Sequence, residues 1–291
     1  MLFRSLRFLT GFFLAGIYPV GMKIAVSWCE RGLGRALGYL VGALVLGTAF
    51  PHLLLGLGLA IEWETVLVGV SIFAVLGGVA IYVLVPEGPY LPAKSSFDIR
   101  VIPRVFASPD LRAAALGYFG HMWELYALWA FTPLILQRYA DRFELDGLNV
   151  SLWSFCVIAA GTIGCIAGGL IVSRVGSALV AVAQLGASGL ACLLSPLMFH
   201  ASPLAFFGFM LFWGVTVVGD SPQFSVLTAN AAPREYVGTA LTIVNCLGFA
   251  ITAVSIQLIS SLSQKVPADF LFLALVPGPL IGLVSSKRLV P

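Results

Sequence analysis

Charge is what this chain of 291 residues lacks most. Asp, Glu, Lys and Arg together make up 10% of the residues, whereas 59% are hydrophobic and the mean hydropathy is +1.01. A soluble domain carries about 25% charged residues, so this composition excludes a soluble fold. The net charge is only +3, and no basic run or aromatic platform interrupts the apolar segments. The sequence therefore gives no case for a nucleic-acid partner.

Motifs for metal binding and catalysis are also missing. The cysteines are scattered without a Cys-x-x-Cys pair, and neither His-Glu-x-x-His nor Gly-x-Ser-x-Gly occurs. We therefore expect no metal, no cofactor and no enzyme activity. One enzymatic alternative stays open. His121 and Glu124 could supply two metal ligands and Asp220 a third, as in an intramembrane metal-dependent enzyme, although two ligands at this spacing also occur by chance.

What the chain does contain is long apolar runs. A bilayer-spanning helix needs about 20 mostly apolar residues, and a window of about 19 residues predicts an all-α polytopic membrane protein with about nine transmembrane helices. The predicted spans lie near residues 7–28, 35–59, 65–85, 113–136, 150–172, 178–199, 203–228, 238–261 and 268–286.

Lys and Arg are distributed unevenly between alternate loops. One set of loops carries ten of them, while the other set carries Arg138, Arg142 and Lys265. Because cytoplasmic loops are enriched in Lys and Arg, we place the connector 86–112 and the C-terminus in the cytoplasm of a cell-membrane protein. Residue 1 then lies outside, although the positive charge of Arg7 near it favours the cytoplasm. To resolve this conflict, we expect an odd number of helices to be missing upstream.

Ionisable residues occur inside these spans. His121 and Glu124 lie near the middle of the fourth span, where an ionisable group costs about 2.5–3.5 kcal/mol on insertion scales. They are three residues apart and share a helical face, which should line the bundle interior. Asp220 directly precedes Ser221 and Pro222, so a buried acid coincides with a predicted helix kink. This pattern indicates a membrane protein that transports a substrate across the bilayer.

Further polar and aromatic side chains could contact a substrate. Lys23 either extends to the interface or lines a cavity, and together with Arg7 it could attract an anion. Trp123 and Tyr126 flank Glu124 and either shape the cavity or pack against neighbours. The remaining two candidates are Gln223, one turn beyond Asp220, and Asn245, in a polar stripe that could instead bond a neighbouring helix.

Small residues recur every three or four residues on two spans. Gly34, Gly38 and Gly42 form one stripe, and a second stripe runs through residues 161, 164 and 168, which are also glycines. Stripes of this kind let helix backbones approach closely in lipid. They predict tight helix–helix contacts.

Three segments resemble motifs of the major facilitator superfamily. Arg7-x-x-x-Gly11-x-x-x-x-Gly16 is similar to its fourth-helix motif, and residues 30–38 resemble the loop that follows that helix. Gly169-x-x-x-Ser173-Arg174-x-Gly176 resembles its Gly-x-x-x-Asp-Arg-x-Gly loop, with Ser173 in place of the acid.

The resemblance implies a six-plus-six helix fold with the first three helices absent. Residues 1–85 would be the last three helices of the N-terminal bundle, 86–112 the cytoplasmic central loop, and 113–291 a complete C-terminal six-helix bundle. The substrate site would lie near the midplane between the halves.

The resulting hypothesis is a secondary active transporter of a small solute, proton-coupled and possibly of an anionic substrate. A buried acid beside a histidine can hold or release a proton. We therefore expect His121 and Glu124 to carry the coupling proton and Asp220 to gate or relay it. The expected partners are the substrate, protons and lipid, and the expected state is a monomer. The alternative is a truncated remnant that inserts into the membrane but transports nothing.

Overall fold

The computed structural model describes residues 2–14, 17–59, 61–90, 103 and 106–290, without the side chains of residues 2–4, 7 and 14. These parts form helices and connecting turns. The α-helices are α1 (Leu2–Leu14), α2 (Ile17–Trp28), α3 (Leu33–Gly56), α4 (Trp63–Leu84), α5 (Pro109–Arg142), α6 (Val150–Val175), α7 (Ser177–Met198), α8 (Pro203–Gly219), α9 (Ser221–Ala231), α10 (Val237–Leu262) and α11 (Pro277–Ser286). A 3₁₀ segment, Ala268–Leu275, precedes α11.

Within the described residues, eight helical segments are long and apolar enough to span a membrane, and each matches a predicted span. The ninth predicted span, 113–136, forms part of α5 but is not among these eight. Its polar and small residues are tolerated because α5 is central: it packs against α6, α8, α9, α10 and α11. A helix surrounded by protein does not need a lipid-compatible surface on every side.

The first glycine stripe forms the contact between α3 and α6. A Cβ atom on Gly38 would lie only 2.6 Å from the carbonyl oxygen of Cys165. The hydroxyl of Thr162 donates a hydrogen bond to the carbonyl of Gly42 at 3.1 Å. The predicted close approach of two helix backbones is therefore confirmed.

The second stripe packs α6 against α8. A Cβ atom on Gly164 would overlap the carbonyl oxygen of Val215, and one on Gly161 would overlap Cγ1 of Val218. Helix α6 is thus held between α3 on one side and α8 on the other. Glycine on both faces lets it approach the two neighbours at once.

Contacts between helix ends divide the loops into two groups, one at each end of the bundle, as expected for helices that cross the membrane in alternate directions. At one end, Arg288 Nε donates to Asp110 Oδ1 at 2.6 Å. At the other, Arg142 Nη2 lies 2.7 Å from His200 Nδ1, and His200 Nε2 lies 3.1 Å from Asp269 Oδ2. The first pair joins segments predicted to be cytoplasmic, and the second group joins segments predicted to be external. Which end faces the cytoplasm stays a prediction.

Two interruptions shape the C-terminal spans. The seventh span is broken between α8 and α9 at Asp220, and the last span is broken between the 3₁₀ segment and α11 at Pro277. The break of the seventh span occurs where the sequence predicts it from Pro222, and α11 likewise begins with a proline, Pro277. Helix α4 has no buried residue, and it contributes nothing to the site described below.

Candidate functional site

The break in the seventh span places an acid inside the bundle. Helix α8 ends at Gly219 and α9 begins at Ser221 with a proline in its first turn. The backbone carbonyl of Asp220 accepts hydrogen bonds from Gln223 N at 3.0 Å and Phe224 N at 2.9 Å. Its side chain is fully buried. The predicted coincidence of the kink with a buried acid is confirmed.

Asp220 faces His121 of α5. His121 Nδ1 lies 2.8 Å from Asp220 Oδ1, and both side chains are completely buried. The two atoms are in ion-pair range but do not have the angles of a hydrogen bond, and neither His121 Nε2 nor Asp220 Oδ2 has a hydrogen-bond partner in the described structure. The pair therefore carries unused hydrogen-bonding capacity deep in the bundle.

The expected pairing of His121 with Glu124 is wrong, because the structure gives each side chain a different partner. Residues three apart on a helix point roughly 60° apart around its axis. His121 consequently reaches the α8–α9 break, whereas Glu124 points toward α7 and α8. The two acids of the site therefore have different partners: Asp220, at the α8–α9 break, faces His121, while Glu124 bonds to side chains of α7 and α8.

Glu124 is enclosed by neutral hydrogen-bond donors. Trp213 Nε1 donates to Glu124 Oε1 at 2.7 Å, and Ser188 Oγ donates to Glu124 Oε2 at 3.0 Å. The side chain of Glu124 is completely buried, and no salt bridge to it is found among the described residues. It is an acid held in the bundle without an ionic partner.

Sequence reasoning missed both donors to Glu124. Ser188 lies in a run of small residues and Trp213 in a strongly apolar span. Nothing in their local patterns distinguishes them from packing residues, and only the tertiary arrangement identifies their role.

Asn245 contributes a bond between helices. Tyr118 Oη donates to Asn245 Oδ1 at 2.7 Å, and Asn245 Nδ2 donates to the carbonyl of Leu241 at 2.7 Å. The Tyr118 ring also lies 5.7 Å from the His121 ring, centroid to centroid. Asn245 thus ties α10 to α5 beside the His121–Asp220 pair.

A narrow cavity of about 10 Å³, room for about one water molecule, lies between α2 and α3 on one side and α5, α8, α9 and α10 on the other. Five of its eleven lining residues are aromatic, and no Lys, Arg, Asp or Glu lines it. The lining residues are Tyr18, Val41, Leu44, Tyr118, Met122, Leu125, Tyr126, Trp129, Val218, Ser221 and Phe249. Tyr126 is the predicted substrate residue that the structure brings to this wall.

Other predicted contacts lie away from the cavity wall. Trp123 Nε1 donates to the carbonyl of Ala274 at 3.2 Å, so Trp123 packs toward the end of the 3₁₀ segment. Gln223 is buried with its amide unpartnered in the described structure, and its Oε1 lies next to Gly34. Lys23 is exposed. Arg7 belongs to α1, but its side chain lies outside the described residues.

The enzymatic alternative gains no support from this arrangement. Among the described residues, no group of three or more His, Cys, Asp and Glu side chains could hold a metal ion. Asp220 meets His121, but Glu124 faces other partners, so the three proposed ligands do not converge on one point.

The described residues form an all-helical bundle of apolar spans with two buried acids, which is the architecture of a polytopic membrane protein. The family model of the Major Facilitator Superfamily matches residues 2–256, and the chain belongs to that superfamily. No curated protein sequence matches it significantly.

Among solved structures, the chain is similar to a bacterial homologue of the iron transporter ferroportin, crystallised in an outward-facing state. The TM-score is 0.54 and the sequence identity 18%, and the match covers 71% of this chain and 51% of the other. At this identity the likeness concerns the fold alone, and the chain spans about half the length of that relative. The resemblance inferred from the sequence motifs is confirmed by the family match.

Proposed function

We propose that this chain acts as a proton-coupled secondary transporter of a small solute, with Glu124 carrying the coupling proton. The observation that supports it is the environment of Glu124, which is fully buried and hydrogen-bonded only to neutral donors. Burying an unpaired charge is expensive, so an acid in this position must either be neutral or rely on those donors. A coupling acid needs a site that can hydrogen-bond both its protonated and its ionised form.

The two donors provide for both protonation states. Trp213 can only donate, so its N–H favours the ionised carboxylate, whereas the Ser188 hydroxyl can donate or accept. When Glu124 binds a proton, Ser188 can rotate and accept from the acid. The site is then satisfied with and without the proton, and the change requires no new partner.

The His121–Asp220 pair could couple protonation to the position of α5 relative to the junction of α8 and α9. It joins α5 to the junction of α8 and α9 through one contact of 2.8 Å. A proton gained or lost by the pair changes the attraction across this contact. Because Asp220 lies between two helical segments of one span, we assign it the gating or relay role, with His121 as its proton-binding partner.

Our proposal includes a monomer in the cell membrane, with the C-terminus in the cytoplasm and the division at 1–85, 86–112 and 113–291. The anionic substrate depends on Arg7 and Lys23. Lys23 is exposed, with its stem beside Gly238, and does not line the described cavity. That part stays a prediction. A non-transporting remnant is the alternative that an uptake assay excludes.

The test is uptake into proteoliposomes driven by an imposed pH gradient. Candidate solutes are first chosen by their ability to raise the melting temperature of the purified protein, because a ligand that binds the native state stabilises it. Gradient-driven uptake should be lost in Glu124→Gln and retained in the matched control Glu144→Gln, whose residue is exposed. Unchanged gradient-driven uptake in Glu124→Gln would show the assignment to be wrong.

A further inference from the structure

The His121–Asp220 pair can exchange protons with water only if water reaches it, and one end of the bundle is closer to it than the other. At 1.5 Å per residue, His121 lies about 16 Å along α5 from Asp110 and about 32 Å from Arg142. Asp110 pairs with Arg288 at its end of the bundle, which we call the near end. The shorter route for water to the pair therefore starts at the near end.

An aromatic ring lies on this route, one helical turn from the pair. Phe224 follows Asp220 by one turn of α9, and on α5 Gly117 precedes His121 by one turn. The start of α5 and the end of α9 share one apolar cluster, so the two helices run in opposite directions. Both residues consequently lie on the near-end side of the pair. They are in direct contact, because a Cβ atom on Gly117 would overlap the ring of Phe224.

Phe224 belongs to an apolar layer that crosses the bundle at this level. It is completely buried. It shares one cluster with Ala115 and Tyr118 of α5, Leu185 of α7 and Val244 of α10. Enclosed apolar space of this kind stays free of water. The layer therefore separates the His121–Asp220 pair from the near end in this structure.

Two buried hydroxyls without partners lie at this layer and beyond it. Ser286 Oγ lies beside the ring, 2.6 Å from the position of a Cβ atom on Gly117. Thr228 follows Phe224 by one further turn of α9. Both side chains are completely buried, and neither hydroxyl has a hydrogen-bond partner in the described structure. Buried polar atoms are nearly always satisfied by protein, water or ligand. The two hydroxyls, like the unpartnered atoms of the pair, are therefore able to bind water.

We propose that Phe224 is the barrier on a water path that connects the His121–Asp220 pair to the near end. When the ring moves off Gly117, the two hydroxyls and the polar atoms of the pair become partners for a short chain of water molecules. The pair then gains its proton from the nearest water or loses it to that water. Phe224 acts through the pair, so it is a positioning residue. This role rests on the proposed transport function for its physiological meaning, but access of water to His121 can be measured without transport.

The test follows the exchange of the Cε1 hydrogen of each histidine for deuterium. The purified full chain is incubated in heavy water, and its peptides are then analysed by mass spectrometry. The three histidines of the chain report separately, and the exposed His200 is the internal reference. In the wild type, His121 should exchange at least about 10-fold more slowly than His200, because a buried group exchanges only when the structure opens.

Phe224→Ala removes the barrier and leaves a space bordered by polar atoms, which water can fill. Exchange at His121 should become at least about 5-fold faster, while exchange at His200 stays unchanged. The matched control is Phe206→Ala. Phe206 is 2% exposed and stacks on Tyr139 near the far end, so its removal leaves an apolar space that stays dry. Equal acceleration at His121 in both variants would overturn the proposal, as would no acceleration in Phe224→Ala.

A second variant separates a water path from simple loosening of the bundle. Thr228→Val removes the hydroxyl and keeps the shape of the side chain. It should slow exchange at His121 in the wild type and cancel most of the acceleration in Phe224→Ala, because the water loses a partner. Thr48→Val, at an exposed position of α3, is the control and should change neither rate. If Phe224→Ala does not fold, the wild-type comparison decides: unchanged exchange at His121 in Thr228→Val overturns the proposal.

This measurement and the uptake assay can fail separately. Faster exchange at His121 in Phe224→Ala together with unchanged gradient-driven uptake in Glu124→Gln would uphold the barrier and refute the coupling residue. Loss of gradient-driven uptake in Glu124→Gln without an effect of Phe224→Ala on His121 would do the reverse.

Discussion

Replacing Gly38 by Ala tests whether the two helices that meet at the centre of this bundle depend on backbone contact. The new methyl group would lie 2.6 Å from the carbonyl oxygen of Cys165 and 3.3 Å from the Cα atom of Gly169. Both neighbours are backbone atoms, so they cannot swing aside as a side chain would. Helix α3 must therefore move away from α6, and the cost of such overpacking is typically about 1–3 kcal/mol.

A second effect of Gly38→Ala opposes this loss of stability. Alanine favours a helix over glycine by about 1 kcal/mol, so we expect a net loss of up to about 2 kcal/mol. At roughly 2–4 °C per kcal/mol for a chain of this size class, the melting temperature should fall by up to about 8 °C. The assay is thermal unfolding of the purified protein in detergent, followed by intrinsic tryptophan fluorescence.

The same helix supplies the matched control. A Cβ atom on Gly47 meets nothing within 4 Å, so Gly47→Ala gains the helix propensity without the clash. Its melting temperature should equal or exceed that of the wild type. If Gly38→Ala is stabilised to the same extent as Gly47→Ala, the close α3–α6 contact is not present in the protein.

Two further predictions concern the polar groups of the site. Asp220→Asn removes the acid that faces His121 at 2.8 Å, and it should lower the melting temperature because breaking a buried pair leaves the remaining partner uncompensated; an unchanged melting temperature in thermal unfolding would argue against an ionic pair. Tyr118→Phe removes the donor to Asn245 Oδ1 and should cost about 1–3 kcal/mol, whereas the pair Tyr118→Phe with Asn245→Leu should cost less than the sum of the single changes in a double-mutant cycle. Strict additivity would show that the two side chains do not interact.

The sequence predicts those features that depend on local pattern. Hydrophobic length locates the apolar spans, Gly38 and its neighbours at four-residue spacing indicate close packing, and Pro222 marks the break of the seventh span. The burial of Glu124 also follows, because a charged group in an apolar span is costly to expose to lipid.

Partners across the fold could not be predicted in this way. Asp220 lies far along the chain from His121, and Trp213 far from Glu124, so no periodicity links them. His121 and Glu124 were expected to pair because they share a helical face, but a shared face brings two side chains near each other without deciding what each one contacts. The neighbouring helices decide it, and their arrangement is a tertiary property.

The most direct test of the account is whether Glu124 itself takes up a proton. Infrared spectra of the purified, membrane-reconstituted protein, recorded from about pH 8 to about pH 5, report the carbonyl stretch of each carboxylic acid as it becomes protonated. We predict a pH-dependent band from a buried acid that is absent in Glu124→Gln and present in Glu144→Gln. Spectra of Glu124→Gln that match those of the wild type over this range would contradict the assignment of the coupling proton to Glu124.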